Sequence, residues 1–170
     1  MSDIKIIEGY IPGSIGRIAE LHGAYYHQHW GLGLFFEAKV ATGLSTFLNR
    51  YDKRRDGLWT ASAAGSIGGS IAIDGVDADG KGAHLRYFIV ADRLRGKGVG
   101  RQLIRTAIDF CRDQRYRRVY LWTFEGLDAA RHLYEKMGFV LVEQFRGTQW
   151  GNPVNEQRFE LELGYTGELM

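Results

Sequence analysis

A run of glycine and basic residues, Arg95-Gly96-Lys97-Gly98-Val99-Gly100-Arg101, separates an apolar segment from an amphipathic one. Glycine permits unusual backbone angles and close approach, so several backbone N–H groups of this run could converge on one anion. A helix beginning near Gly98 would add the positive end of its dipole, and the basic side chains could reach phosphate oxygens. The run therefore predicts a pyrophosphate-binding turn at a helix start. The structural alternative is a glycine-rich turn with a solvated basic face.

Spacing separates this run from two other nucleotide-binding motifs. Walker A, G-x-x-x-x-G-K-[ST], is absent because no Gly-Lys-Ser or Gly-Lys-Thr occurs in the sequence. The dinucleotide pattern G-x-G-x-x-G fails because Gly100 follows Gly98 after a single residue. The pattern that remains is R-x-x-G-x-G.

The elements on either side must hold this run in place. Residues 84–90 are predicted to form a strand, and an apolar face at helical spacing predicts a helix from about 98 to 116. The periodicity along the whole chain predicts the order β-α-α-β-β-β-α-β-α-β-β. Gly138 is well placed to end the last helix. We therefore expect an α/β (α+β) fold.

Composition predicts one ordinary globular domain, residues 1–170. Hydrophobic residues make up 45% of the chain and charged residues 25%, and the net charge of +2 is too small to indicate nucleic acid or membrane as a partner. Cys111 is the only cysteine, which excludes an intrachain disulfide and a multi-cysteine metal framework. With no secretory leader or long apolar stretch, these features predict a cytoplasmic protein without a metal.

The glycine run resembles motif A of the GNAT superfamily of N-acetyltransferases, whose pattern is Q/R-x-x-G-x-G/A. A second segment, Leu133-Tyr134-Glu135-Lys136-Met137-Gly138-Phe139, is similar to another signature of that superfamily. Together with the neighbouring strands, the resemblance covers about residues 80–145. It implies a central twisted sheet of about seven strands flanked by about four helices, and acetyl-CoA as the cosubstrate.

More narrowly, the first 50 residues and the run 154–161 resemble the acetyltransferase half of proteins that fuse a MarR-type winged helix to a GNAT domain. We expect that half to stand alone here. A transcriptional role carried by the DNA-binding part is therefore not transferred to this chain.

The resemblance also implies roles for particular residues. Backbone groups of Phe88, Ile89 and Val90 would pair with the pantetheine arm and face the thioester carbonyl. Tyr134 stands where many members carry the tyrosine that protonates the leaving thiolate; the alternative is a core aromatic. His84 stands where several members place a glutamate base, although it could also be a hydrogen-bonded strand residue. Other candidates for the base are Glu37, Glu125 and water.

Specificity for the acceptor is expected from the first helices and the last strands. Tyr26 and Trp30 belong to a cluster of aromatic residues and histidines there, which could hold an ammonium group by cation–π attraction or simply pack the helix pair. Leu127 stands where many members carry an asparagine that bonds the cofactor. No cofactor contact is assigned to it.

The sequence thus predicts an enzyme that moves an acetyl group from acetyl-CoA to a primary amine by direct attack in a ternary complex. The alternative is a non-catalytic module that binds acyl-CoA and senses it. Both hypotheses predict CoA binding, and a homodimer is compatible with either.

Overall fold

The computed structural model describes residues 3–164, so residues 1–2 and 165–170 of the predicted domain lie outside the described residues. Seven strands and four α-helices occur in this part of the chain, which confirms the predicted fold class and element order. A short 3-10 helix, Asp92–Leu94, precedes the third α-helix. The elements are β1 (Ile4–Glu8), α1 (Ser14–Trp30), α2 (Leu34–Asn49), β2 (Gly57–Ala63), β3 (Ser66–Asp74), β4 (Ala83–Val90), α3 (Val99–Asp113), β5 (Arg118–Phe124), α4 (Asp128–Lys136), β6 (Val140–Gly147) and β7 (Val154–Glu162).

The strands form one mixed sheet in the order β1-β2-β3-β4-β5-β7-β6. Neighbouring strands run antiparallel except β4 and β5, which are parallel. A parallel pair needs a crossover connection, and α3 supplies it. This crossover places the glycine run directly after β4.

Apolar residues cover both faces of the sheet because side chains alternate along each strand. Ile71 and Ile73 of β3 pack in the cluster under α3, whereas Ala72 between them packs with Leu44 and Phe47 of α2. Helices α3 and α4 therefore cover one face. Helices α1 and α2 cover the other face over β3 and β4.

Strand β4 carries a bulge at Tyr87. Ser70 of β3 pairs with Ile89 and Ala72 pairs with Arg86, so one residue of β3 stands opposite two residues of β4. Tyr87 has a φ of 55°, which is uncommon for a residue with a side chain. Its carbonyl accepts a hydrogen bond from the Ser70 hydroxyl at 2.6 Å, which holds the bulge in place.

Candidate active site

Strands β4 and β5 diverge soon after they start. Their register includes only Ala83 with Val119 and His84 with Tyr120. Beyond His84 the described residues of β4 and β5 form no further register pairs, and Val90 O in the gap accepts a hydrogen bond from Arg95 Nε at 3.4 Å. The N–H of Ala91 donates to Gly68 O beside β3. The backbone N–H and C=O groups of successive residues in a strand point to opposite edges of that strand. Those of Val90 therefore point into the gap, and those of Ile89 point to β3.

A cavity of about 490 Å³ lies at the mouth of this gap, and we call it the glycine-loop cavity. It is bounded by the end of β4, the glycine run, the start of α3 and the start of α4. Its lining is Tyr25, Tyr26, Phe88, Ile89, Val90, Leu94, Arg95, Gly96, Gly98, Val99, Gly100, Arg101, Gly126, Leu127, Asp128, Ala129, Ala130 and Leu133. Of the residues predicted to bind the cofactor, only Lys97 is outside this lining, and its side chain is exposed.

The glycine run has the backbone that an anion cradle requires. Gly96 and Gly98 have φ angles of 76° and 77°, and a Cβ at either position would meet nothing within 4 Å. Gly100 is different, because a Cβ there would stand 3.1 Å from Leu133 Cδ1 and 3.4 Å from Phe88 Cζ. The first N–H groups of α3 have no intrahelical partner and point out of the helix end. The residues present therefore fit a pyrophosphate group.

A second cavity of about 190 Å³ continues inward from the first, and we call it the aromatic cavity. Tyr26, Phe88, Leu127 and Ala130 line both cavities, so the two meet at these side chains. The aromatic cavity is also lined by His22, Phe36, Lys39, Val40, His84, Leu85, Arg86, Tyr87, Leu121, Trp122, Thr123, Phe124, Tyr134, Gln149 and Trp150.

Tyr134 of α4 lies in the wall of the aromatic cavity and is 6% exposed. Its ring centroid is 6.0 Å from that of Phe88 and 5.9 Å from that of Phe139. Burial, with a smaller contribution from Tyr26, raises the pKa of the Tyr134 phenol well above its usual range. The hydroxyl therefore stays protonated at any physiological pH and is available as a donor.

The structure places two histidines in the aromatic cavity. His84 stacks on Tyr120 with the ring centroids 4.5 Å apart, and burial together with the charge of Arg86 lowers its pKa to about 3. The Nδ1 atom of His22 lies 2.8 Å from Ile18 O, and burial lowers the pKa of His22 to about 4. If Nδ1 of His22 carries the proton, Nε2 is its acceptor. Both imidazoles are uncharged near neutral pH.

The other acceptor-side predictions are only partly brought together. Tyr26 lies where the two cavities meet, but Trp30, Glu37 and Glu125 line neither cavity. Trp30 is the last residue of α1, and its ring centroid lies 4.9 Å from that of Phe124. Glu37 is exposed and lies over Gly23 of α1. The side chain of Glu125 is exposed and accepts a hydrogen bond from Asn155 Nδ2 at 3.2 Å.

Several residues of the aromatic cavity were not singled out from the sequence. Gln149 and Trp150 come from the β6–β7 connection, which Glu156 holds against the sheet. The buried Glu156 carboxylate accepts hydrogen bonds from the backbone N–H of Gln149 at 3.1 Å and from Gln149 Nε2 at 2.5 Å. Lys39 and Arg86 are the charged additions among the residues that line this cavity. The sequence does carry a signal for Arg86. It stands two residues after His84 in the predicted strand, so the alternation of side chains places both on the same face of the sheet.

Among residues 3–164, no group of three or more His, Cys, Asp or Glu side chains is arranged to hold a metal ion. No described helix combines the length and the apolar character needed to cross a membrane.

Comparisons with known proteins agree with this geometry. The family model for the acetyltransferase (GNAT) family matches residues 17–139. N-acetyltransferase 8 of Rattus norvegicus is 36% identical over 89 residues, which is 51% of this chain and 40% of that protein. N-acetylaspartate synthetase of Xenopus tropicalis is 29% identical over 119 residues, 69% of this chain and 44% of that protein. The chain thus spans less than half the length of these curated relatives.

A solved structure from Salmonella typhimurium, determined with its cofactor acetyl-CoA, superimposes with a TM-score of 0.77 at 15% identity and covers 99% of both chains. An acetyltransferase of the GNAT family from Staphylococcus aureus Mu50 gives a TM-score of 0.75 at 19% identity, over 95% of this chain and 99% of that one. At these identities the two structures establish the fold.

Proposed function

The chain belongs to the acetyltransferase (GNAT) family, and on that premise we propose that it transfers an acetyl group from acetyl-CoA to a primary amine of a small molecule or protein. The observation that carries this proposal is the meeting of the glycine-loop cavity and the aromatic cavity at Phe88, beside the gap between β4 and β5. A donor and an acceptor could enter from opposite ends and react there in a ternary complex. Holding two reactants in one geometry removes much of the barrier to reaction.

The donor would lie in the glycine-loop cavity. The N–H groups at the start of α3 and the Arg95 and Arg101 side chains would hold its pyrophosphate, and the gap-facing backbone of Val90 would pair with the pantetheine arm. The thioester carbonyl would then lie near Phe88, where a backbone N–H can stabilise the negative charge that develops on its oxygen. Lys97, which points to solvent, is left with a long-range electrostatic role.

The transfer itself needs one new bond, one broken bond and two proton movements. The amine nitrogen bonds to the thioester carbon, and the C–S bond breaks. Tyr134, which burial keeps protonated at neutral pH, would give its proton to the departing thiolate as the C–S bond breaks. The excess proton on the former amine leaves through water, and once the transfer is complete water returns a proton to the Tyr134 phenolate.

His84 as the general base stays a prediction. With its pKa lowered to about 3, the imidazole accepts a hydrogen bond at neutral pH but does not retain a proton. We therefore propose that His84 orients the amine or a water molecule and that water carries the proton to solvent. Glu37 and Glu125 lie outside both cavities, so neither is in reach of an amine at Phe88.

The alternative, a module that binds acyl-CoA without catalysis, is less well supported because such a module has no use for a second cavity at the reactive end of the first. The experiment that separates them begins with calorimetry using acetyl-CoA. Absence of binding at about 1 mM ligand, a free energy weaker than about 4 kcal/mol, would contradict both hypotheses. Binding without thiol release across a panel of amines would favour the module.

Some finer predictions complete the proposal. We propose one domain over residues 1–170 and a cytoplasmic location, which the single Cys111 supports because a reducing compartment needs no disulfides. The buried Cys111 thiol has its pKa raised to about 12 by burial, so it is an inert core residue. A homodimer and the narrower kinship with MarR-type fusions stay predictions.

A further inference from the structure

The charge of the aromatic cavity is not balanced. Lys39 and Arg86 line it, and none of the described residues in its lining is an aspartate or a glutamate. His22 and His84 add no charge, because their lowered pKa values keep both imidazoles neutral. A ligand with a second ammonium group would find no anionic partner here, whereas a ligand with an anionic group would find two cations.

Arg86 has hydrogen-bond donors to spare. Its Nη1 lies 3.4 Å from Asp74 Oδ2, but Arg50 donates to both oxygens of Asp74, at 2.9 and 2.6 Å. The charge of Asp74 is thus taken up mainly by Arg50. Within residues 3–164, Nε and Nη2 of Arg86 have no hydrogen-bond partner, and the guanidinium lies 4.8 Å from the centre of the Tyr87 ring. A planar guanidinium with free N–H groups suits a carboxylate.

The Arg86 and Tyr87 side chains pack against Gly43 of α2. A Cβ at Gly43 would stand 3.3 Å from Arg86 Nη2 and 2.7 Å from Tyr87 Oη, so glycine allows both side chains to take these positions. Tyr87 Oη is buried and has no hydrogen-bond partner among the described residues. This hydroxyl is enclosed by protein atoms, whereas the Arg86 side chain is 28% exposed and is the group that a ligand can reach.

The distance from Arg86 to the reaction point sets the size of the ligand. Arg86 precedes Phe88 by two residues on β4, a backbone separation of at most about 7 Å. The aromatic cavity, about 190 Å³, holds the volume of about six water molecules at ~30 Å³ each. An amine at Phe88 with an anionic group only a few bonds away matches both limits.

We propose that the acceptor is a small primary amine that also bears a carboxylate, an amino acid in chemical class, and that Arg86 binds the carboxylate. The inference rests on the proposed acetyl transfer and specifies its acceptor. A polyamine should be a poor acceptor, because its second ammonium group would lie near Lys39 and Arg86.

The test uses acceptors that differ only in the carboxylate: L-phenylalanine, L-phenylalaninamide and phenethylamine. The free amine is more abundant in the amide than in the amino acid, and less abundant in phenethylamine. A preference for phenylalanine over both therefore cannot arise from amine basicity. We expect kcat/KM to be about tenfold or more higher for phenylalanine, as one charge-assisted hydrogen-bonded pair provides.

The variant Arg86→Gln should raise KM for phenylalanine by about tenfold or more and leave kcat/KM for phenethylamine within about twofold of the wild type. Arg86→Lys should recover part of the loss, because it restores the charge without the planar fork. Arg54→Gln is the matched control, since Arg54 is exposed and pairs only with Asp52. The fold should survive the Arg86 change, because Arg50 still pairs with Asp74.

Equal or better turnover of the amide and of phenethylamine would overturn the amino-acid proposal while leaving acetyl transfer intact. If no acceptor is turned over although acetyl-CoA binds, acetyl transfer fails, and calorimetry of phenylalanine with the CoA-saturated protein decides the rest. Binding that is lost in Arg86→Gln would still support the carboxylate site. Absence of binding, or binding that Arg86→Gln leaves unchanged, would contradict it.

Discussion

Removing the Tyr134 hydroxyl is the sharpest perturbation of the proposed reaction. In Tyr134→Phe the ring stays packed against Phe88, Phe139 and Phe159, whose centroids lie 6.0, 5.9 and 6.2 Å away. No cavity forms, and the hydroxyl has no hydrogen-bond partner within the described part of the chain to lose. We therefore expect the free energy of unfolding to change by less than about 1 kcal/mol.

The kinetic effect should be far larger than the effect on stability. A positioned general acid contributes about 10²- to 10⁴-fold to a rate. At about 1.36 kcal/mol per factor of ten, that corresponds to about 2.7 to 5.4 kcal/mol of barrier. The loss should fall on kcat, because the hydroxyl acts only as the thiolate departs, and the affinity for acetyl-CoA should stay unchanged.

The assay is steady-state release of the CoA thiol, with calorimetry to measure acetyl-CoA affinity and thermal unfolding to check the fold. Tyr51→Phe is a suitable control, because Tyr51 follows α2 and lines neither cavity. Since burial raises the pKa of Tyr134 well above its usual value, the wild type should show no decline in kcat from this group at the alkaline end of an ordinary pH profile. A Tyr134→Phe enzyme that retains more than about a third of wild-type kcat would refute the role of the hydroxyl as the acid.

The remaining predictions concern the donor site, the base and the pH dependence of stability. Gly100→Leu should weaken acetyl-CoA binding by about tenfold or more in calorimetry, because its side chain enters the glycine-loop cavity beside Leu133; the same change at Gly16, where a Cβ meets nothing within 4 Å, should have no effect. His84→Gln should lower kcat/KM by less than about tenfold and keep the shape of its pH profile; loss of a base limb near neutral pH would instead identify His84 as the base. Burial raises the pKa of Asp74, but the hydrogen bonds from Arg50 and from the Val76 N–H, together with the charges of Arg50 and Arg86, outweigh burial and hold that pKa below its usual value. The stability that Asp74 contributes should therefore be complete above about pH 4 and be lost as the pH falls through its folded pKa. Thermal scans of wild type and Asp74→Asn should converge in acid, and a constant difference would contradict this.

The fold and the glycine-rich turn before α3 were largely predictable because their signals are local. Hydrophobic periodicity defined each element, and positive φ at Gly96 and Gly98 is a requirement that glycine meets most easily. Gly138, predicted to end α4, follows the last turn with a φ of 101°. At the other end of α4, Leu127 occupies the N-cap position without a side-chain hydrogen bond, and Asp128 is the first residue of the helix.

The acceptor site was less predictable because it depends on how distant elements meet. Trp30 lies one helical turn after Tyr26 on the same face of α1, yet that turn carries it past the cavity and onto Gly126. The pKa of His84 is lowered by its burial and by the charge of Arg86, and the stacking on Tyr120 of β5 is not visible in the sequence around His84. The unpaired donors of Arg86 depend on Arg50, which is 36 positions away in the chain and has already engaged Asp74.

The bulge at Tyr87 shifts the alternation of side chains along β4 by one residue. Before it, the odd-numbered Ala83 and Leu85 face α3; after it, the even-numbered Phe88 and Val90 do so. Without the extra residue, the odd-numbered side chains would face α3 along the whole strand. Phe88 would then point away from Gly100, although in the structure the two residues lie close together. A single strand can thus present His84 to one cavity and Val90 to the other. Inserting or deleting one residue within this short stretch would exchange the two faces, whatever residues it left unchanged.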